Sequence, residues 1–526
     1  MRRLPALAVL VVVALCVGVS PAYAHAFLLR SDPPYDAALP VSPAVITLEF
    51  SEPVRVERAA VAVLDGAGQR VDLADAGNGR TGSSVVVGLR PRLPQGTYVV
   101  SWHVVSADTH PVGGSLQFGV GRAPDAPAPA TDAGATPLLD YVTGLAHTAQ
   151  TVGLAALVGG GFFLVVLWPA ALRRRAPRGL LWTGWWLVLS ASVVLLLTQG
   201  AHASGDGFAA LLRWDGLAST MGYAYGGLTV LRLVLLLAGT VALRHLPRRR
   251  AAVAGGLAAL GIVATEAALG HAGYGDDSPL AVLSLTAHIS AMALWVGGLA
   301  VLVLLALAPP AEPYGILRRW SAVAGALVGV LVVSGVYQAW REVGSLPALT
   351  GTRYGVLLLV KLALFAGALS AAAVVRRLTP RRVHTASRPL VRRVVAVELA
   401  LNLAVLAVTS TLVASPPAVS AYGPPFETTV QAGPVTARLA VAPTLPGPQS
   451  VVVSFSGDQR VTEVSGQLSL PEERLGPIDV TFRPDGAGRF ASGGLSVPRP
   501  GLWHLKLAVR LTESATYVLT VPYRTH

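Results

Sequence analysis

Eight apolar segments, separated by short polar connections, occupy residues 138–415 of the chain. A helix needs about 20 apolar residues to cross the roughly 30 Å hydrocarbon core of a bilayer, and every segment reaches that length. Because lipid offers no water to an exposed backbone, such segments cross as helices. The sequence therefore predicts an eight-helix transmembrane bundle, with approximate segment limits of 139–170, 179–201, 222–244, 251–271, 280–308, 319–340, 355–375 and 394–414.

Composition and charge also favour a membrane protein. Only 13% of the 526 residues are charged, whereas soluble domains carry about 25%. Seventeen arginines lie in the connections after the odd-numbered segments, and only Arg213, Arg341 and Arg353 lie in the others. Cytoplasmic connections carry an excess of Lys and Arg, so this asymmetry predicts a multi-pass plasma-membrane protein. The net charge of +13 then reflects topology, and no nucleic-acid partner is expected.

Residues 1–24 have the order of a secretory signal: Arg2 and Arg3, an apolar run, and the small-x-small site Ala22-Tyr23-Ala24. Cleavage after Ala24 would make His25 the free N-terminus. Its amine and imidazole nitrogens could then chelate one metal ion. The single cysteine, Cys16, would be removed with the signal, so the mature chain is expected to hold no disulfide and no thiolate ligand.

Two regions outside the apolar segments are expected to form β domains. Residues 25–122 contain short β-branched and aromatic runs between turn residues, which predict a small β-sandwich. A Pro/Ala-rich linker follows at 123–137. Residues 420–526 again read as strands and predict a second β-sandwich-like domain of unknown role. Because eight crossings return the chain to the same side, both β domains are expected to be extracytoplasmic.

A candidate metal site lies in the first β domain. Asp108 and His110 are two residues apart, which places both on one face of an extended segment. Together with His25 they offer nitrogen and oxygen donors without sulfur, a set that suits Cu(II), although Zn(II) would accept the same ligands. His103, on the preceding strand, is either a further imidazole ligand or an ordinary strand residue.

Histidines also lie inside or beside the apolar segments. His147, His202, His271 and His288 all fall toward the predicted extracytoplasmic side, either as interfacial polar residues or as a metal path. His288, Met292 and Trp295 are spaced at i, i+4 and i+7 and share one helical face. That face is either a stepping site for Cu(I) or Cu(II) or ordinary helix packing.

Four charged residues within the segments are predicted to support the bundle, either as mutual partners or as side chains satisfied by the backbone: Arg232, Glu266, Lys361 and Glu398. The sequence leaves open whether Glu266 pairs with Arg232 or with Lys361. The tripeptide Val-Gly-Gly occurs in the first and fifth segments, each time after a histidine, and hints at a four-plus-four repeat.

Longer motifs resemble two known families. HAFLLRSDP after the cleavage site, FSEPV at 50–54 and GTYVVSWHVVSADTHPVGGSLQFGV at 96–120 resemble the CopC family of periplasmic copper-binding proteins. That resemblance implies Cu(II) binding by His25, Asp108 and His110. HISAMALWVGGL at 288–299, SGVYQAW at 334–340, YGVLLLVKLALF at 354–365 and VVAVELALNLAVLAVTSTL at 394–412 resemble the CopD family of copper-transport membrane proteins.

Fusions of these two families, including the YcnJ type, are associated with copper uptake. The resemblance therefore implies a copper transporter whose partners are copper ions, the bilayer and an extracytoplasmic copper chaperone or reductase. Two alternatives stay open: copper sequestration without transport, and a haem protein that uses His147 and His288 as axial ligands. No phosphorylation motif, phosphate loop or catalytic triad is evident, so enzymatic activity is not expected.

Overall fold

The structure, a computed structural model, describes residue 26 and residues 28–34, 37–50, 53–56, 60–79, 81–106, 111–124, 137–204, 207–211, 213–221, 224–246, 248–273, 277–306, 313–378, 388–413, 415–457, 460–473, 475–493, 495–497, 500–512 and 515–525. These residues form two compact units. One unit contains the helices of the apolar region, and the other contains both β domains.

The first β domain consists of two sheets. Its strands are β1 Leu28–Asp32, β2 Ala37–Leu39, β3 Val45–Phe50, β4 Val54–Arg55, β5 Val61–Leu64, β6 Gly77–Asn78, β7 Ser84–Gly88, β8 Gly96–Ser106 and β9 Pro111–Val120. One sheet has the order β1-β3-β7-β6, and the other has the order β2-β9-β8-β4, with β5 also paired to β8. Alternate residues of β3 are buried, and Ile46 shares one core with Val100 of β8 and Phe118 of β9. The predicted β-sandwich is confirmed.

Eight helices in the described part of the chain are long and apolar enough to cross a membrane. We call them spans 1 to 8: Pro137–Leu154 with its continuation to Leu167, Arg175–Ser204, Ala224–Arg244, Arg249–Ala267, Ser278–Ala306, Pro313–Val343, Arg353–Leu378 and Arg388–Val413. Shorter helices are Trp214–Met221, Ala348–Gly351 and Ala418–Ala421. Span 1 includes two π-helical turns, Ala155–Gly159 and Phe163–Leu167.

Glycines bring spans 1 and 5 into backbone contact. A Cβ added to Gly159 of span 1 would collide with the carbonyl oxygen of Ala293 in span 5. A Cβ added to Gly297 of span 5 would collide with the carbonyl oxygen of Ala155. Small residues permit such close helix crossings in membranes. The two Val-Gly-Gly tripeptides therefore meet at one crossing.

The C-terminal domain is a single antiparallel sheet of eight strands in the order β10-β11-β13-β16-β15-β14-β18-β19. Its strands are β10 Phe426–Ala432, β11 Val435–Ala442, β13 Ser450–Ser456, β14 Glu463–Leu470, β15 Leu475–Pro484, β16 Arg489–Gly493, β18 Gly501–Thr512 and β19 Ala515–Thr525. The sheet curls around one apolar core until β10 approaches β19, which makes it a nearly closed barrel. Sequence reasoning did not identify β14 and β16.

A two-stranded ribbon connects the two β domains. It pairs β12 (Gly447–Pro448) with β17 (Ser496–Val497) and lies against β1, an edge strand of the first domain. Gly447 approaches β1 closely, since a Cβ built on it would lie 3.5 Å from the carbonyl oxygen of Leu28. Covering an edge strand removes an open site for unwanted strand pairing.

Candidate functional site

The predicted copper ligands of the first domain, His25, Asp108 and His110, lie outside the described residues. The backbone of His103 lies on β8 opposite Gly113, and its side chain is not described. The described residues that flank these ligands in the sequence lie close together in the fold. The backbone N–H of Ala26 donates to Ser106 Oγ at 3.1 Å, at the end of β8, and β9 returns from there at Pro111.

Three of the membrane histidines lie at one end of the antiparallel bundle. His147 is half-buried in the first half of span 1, and His202 lies in the last turn of span 2. The Nε2 of His202 lies 3.2 Å from Thr143 Oγ1 of span 1, which ties the two spans together. Span 4 ends at Ala267, so His271 belongs to the short turn His271–Gly273 beyond it, and its side chain is not described.

His288 of span 5 is hydrogen-bonded to Ser334 of span 6 in a geometry that favours one tautomer. The Ser334 hydroxyl donates to the carbonyl oxygen of Val330 at 2.6 Å. Because that hydroxyl has one hydrogen, its oxygen accepts the hydrogen bond from His288 Nδ1 at 2.9 Å. A neutral imidazole protonated on Nδ1 keeps its lone pair on Nε2, the arrangement that binds a metal ion.

Span 6 is shaped to admit this imidazole. A Cβ built on Gly335 would lie 3.3 Å from His288 Cε1, closer than most carbon contacts. A larger residue at position 335 would therefore push the ring away from Ser334. Sequence reasoning missed Ser334 and Gly335, although they open the motif SGVYQAW.

One face of span 5 carries four chemically useful side chains, Ser284, His288, Met292 and Trp295, which we call the span 5 row. Ser284 Oγ is buried, and within the described residues it has no hydrogen-bond partner. Met292 is half-buried against two apolar clusters. Trp295 is 1% exposed, packs edge-on against Phe365 of span 7, and donates from Nε1 to Glu398 Oε1 at 3.1 Å.

The first four spans contain a polar network around one ion pair. Arg232 Nη2 of span 3 lies 2.8 Å from Glu266 Oε2 of span 4. Glu266 therefore pairs with Arg232 and not with Lys361, a choice that the sequence left open. Glu266 also accepts a hydrogen bond from Gln150 of span 1, whose own amide oxygen accepts one from Ser192 of span 2. Arg232 donates from Nε to Thr265. This network joins all four spans.

A second buried ion pair lies where span 5 begins and span 6 ends. Arg341 is 1% exposed, and its Nε lies 3.1 Å from Asp277 Oδ2, which also accepts a hydrogen bond from the Tyr337 hydroxyl. The sequence-based assignment of Arg341 to a connection was wrong, because span 6 continues to Val343. The motif SGVYQAW thus supplies the tyrosine, and the next residue supplies the arginine.

Lys361 and Glu398 differ from these pairs. Among the described residues, neither side chain forms an ion pair, and Glu398 is only 4% exposed. The charge of Lys361 acts on His288. The described residues contain no group of three or more His, Cys, Asp or Glu side chains that could hold a metal ion. Within the described residues, the bundle therefore offers single candidate ligands rather than one enclosed metal centre.

Comparison with known families agrees with this organisation. The profile described as "CopC domain" matches residues 28–121. The profile "Copper resistance protein D-like, N-terminal domain" matches residues 138–279, and "Copper resistance protein D" matches residues 314–412. The chain thus combines a CopC domain with a helical bundle of the copper resistance protein D type. This combination defines a class of multi-pass membrane proteins.

Individual relatives show which proteins of this class the chain resembles. The "Copper transport protein CutJ" of Bacillus subtilis (strain 168) is 27% identical over 519 residues, which cover 92% of this chain and 93% of that protein. The "Copper resistance protein C" of Xanthomonas campestris pv. juglandis is 35% identical over 116 residues, 21% of this chain and 91% of that protein. The chain belongs to the family of CopC–CopD fusion proteins, as its motifs predicted.

Among solved structures, the first domain is similar to CopC from Methylosinus trichosporium OB3b, with 28% identity, a TM-score of 0.18, and coverage of 20% of this chain and 99% of that one. It is also similar to PcoC from Escherichia coli, with 34% identity, a TM-score of 0.17, and coverage of 18% and 99%.

Proposed function

We propose that this protein carries copper across the plasma membrane, inward, without enzymatic activity of its own. Its N-terminal domain would capture Cu(II) through His25, Asp108 and His110 after removal of the signal. The ion would then enter the bundle through His147, His202 and His271 and reach His288. Membership of the CopC–CopD family and the copper-related names of the relatives support copper as the cargo.

The topology proposed with this function places both β domains outside the cell. Two observations support it. Arginine asymmetry favours a cytoplasmic location for the connections after the odd-numbered spans. The ribbon β12–β17 lies against β1, and this contact between the two β domains supports their location on the same side of the membrane, which an even number of crossings would give.

The observation that carries the proposal is the hydrogen bond between His288 Nδ1 and Ser334, which favours the Nδ1-protonated tautomer. A histidine inside a membrane bundle costs free energy, and such residues by default mark functional sites. Here Ser334 Oγ accepts a hydrogen bond from His288 Nδ1–H, and Nε2 keeps its lone pair on the face of span 5 that also carries Met292. That is the state a neutral histidine needs for binding a metal ion.

The test is copper uptake into vesicles that contain the full-length protein, with entry measured as metal per protein. We expect uptake by the wild type and a loss of about tenfold or more in His288→Ala and His25→Ala. His245→Ala is the matched control, because His245 is exposed and its Nδ1 bonds to its own helix at Val241. Unchanged uptake in His288→Ala would contradict the membrane path.

The same preparations address the alternatives. A sequestration protein would bind copper and lose that binding in His25→Ala, while the vesicle interior would gain no copper in any variant. A haem protein would show a Soret band after purification. Inward transport is contradicted if cells that lack the protein accumulate normal or higher copper under scarcity.

A further inference from the structure

Among the described residues, Glu398 is a buried acid without the arginine partner that Glu266 and Asp277 have. Glu266 is paired with Arg232 and Asp277 with Arg341. Glu398 is 4% exposed, and within the described residues its carboxylate accepts a single hydrogen bond, from Trp295 Nε1. Among the described residues this carboxyl group neutralises no cationic side chain, and an ionisable residue inside a membrane bundle marks a functional site by default.

The position of Glu398 extends the span 5 row. Ser284, His288, Met292 and Trp295 advance along one face of the helix in steps of about 5–6 Å. Trp295 ends the row, and its indole N–H orients Glu398 Oε1 at that level. Glu398 therefore follows His288 and Met292 in the direction in which span 5 runs, which the proposed topology makes inward.

We propose that Glu398 is a cation-binding residue of the membrane path, the next copper ligand inward of His288, and that Trp295 is its positioning residue. This inference rests on the proposed transport function. A carboxylate oxygen after an imidazole nitrogen is a donor sequence that suits Cu(II) rather than Cu(I). Trp295 donates its hydrogen bond to Oε1 of Glu398. The lone pairs of the second carboxylate oxygen, Oε2, remain for the ion.

Successive weak sites also suit transport. An ion must bind each site well enough to enter and weakly enough to leave. No cluster of three strong ligands occurs among the described residues, so none of the sites formed by them would trap the ion. A single carboxylate one to two helical turns beyond His288 meets this requirement.

The experiment compares two buried acids by the same substitution in full-length protein, with uptake into vesicles and the free energy of unfolding both measured. Glu398→Gln keeps an oxygen that can accept from Trp295 but removes the charge. We expect a tenfold or greater loss of uptake with unchanged stability. Glu266→Gln is the matched control, and we expect it to lower stability because Arg232 loses its counter-charge.

Two further variants distinguish a copper-binding role of Glu398 from a structural role. Glu398→Asp keeps the charge and should restore part of the uptake that Glu398→Gln loses. Trp295→Phe removes the hydrogen bond and should raise the copper concentration that gives half-maximal uptake. Wild-type uptake in Glu398→Gln, or a loss of stability in Glu398→Gln equal to that of Glu266→Gln, would overturn the proposal.

Failure of this inference is distinguishable from failure of the transport function. If His288→Ala abolishes uptake and Glu398→Gln leaves it intact, only the role of Glu398 is contradicted. If the wild type itself moves no copper into vesicles, the transport function fails and the inference fails with it.

Discussion

Spans 1–4 and spans 5–8 differ in how they treat charged side chains in the middle of the helices, although Arg341 and Asp277 form an ion pair where span 6 ends and span 5 begins. In the first half, Arg232 and Glu266 neutralise each other, and Gln150 extends the pair into a network that ties four helices together. In the second half, Lys361 and Glu398 lie within the spans, and neither has an ion-pair partner among the described side chains. Oppositely charged side chains that pair with each other hold helices together. A charged side chain without such a partner can instead interact with an ion. We call spans 1–4 the supporting half, because their central charges pair, and spans 5–8 the conducting half, because the proposed path inward of the entry histidines runs along span 5.

The largest expected effect comes from breaking the pair in the supporting half. Arg232→Met leaves Glu266 as a buried charge without its partner and should lower the free energy of unfolding by about 3–5 kcal/mol. The double variant Arg232→Met/Glu266→Met should recover most of that loss, because no buried charge remains. The measurement is reversible unfolding in lipid or detergent.

An exposed pair supplies the control for this prediction. Arg438 and Glu427 of the C-terminal domain lie 2.7 Å apart, with side chains 68% and 52% exposed. Arg438→Met should leave stability unchanged, since solvent screens such a pair. If Arg232→Met were equally harmless, the pair of spans 3 and 4 would have no supporting role.

The second prediction concerns the crossing that joins the two halves. Gly297→Ala adds a methyl group that collides with the backbone of Ala155 in span 1. Overpacking of this kind costs about 1–3 kcal/mol of unfolding free energy. Gly161→Ala is the matched control, because a Cβ there meets nothing within 4 Å. Equal stability of the two variants would show that spans 1 and 5 do not cross at these glycines.

Sequence alone could predict the spans and most strands, because hydropathy and alternation are local properties of the chain. The partner of Glu266 was not predictable, since it depends on how spans 3 and 4 are rotated toward each other. Ser334 was overlooked because a helical serine ordinarily bonds only its own backbone. Arg341 was misplaced because a charged residue at the end of an apolar run looks like a boundary. The N-terminal ligands His25, Asp108 and His110 lie outside the described residues and stay a prediction from the sequence.

The smallest expected change in stability comes from Lys361→Met in the conducting half. No ion pair with a described residue is lost, so Lys361→Met should not lower the free energy of unfolding. Copper binding is expected to respond instead. The charge of Lys361 acts on His288, so it repels a cation bound there. Removing this positive charge should therefore tighten copper binding, by about tenfold or more.

Equilibrium copper binding to the full-length protein tests this, in a background with Asp108→Ala and His110→Ala so that the bundle dominates the signal. Lys361→Arg keeps the positive charge and should bind copper like the parent. Tighter binding should also slow release from the path, because an ion held more firmly at His288 leaves it less often. Uptake by Lys361→Met should therefore fall at saturating copper while binding strengthens. Unchanged or weaker binding would mean that Lys361 supports the bundle as Arg232 does, and the contrast between the two halves would then rest on Glu398 alone.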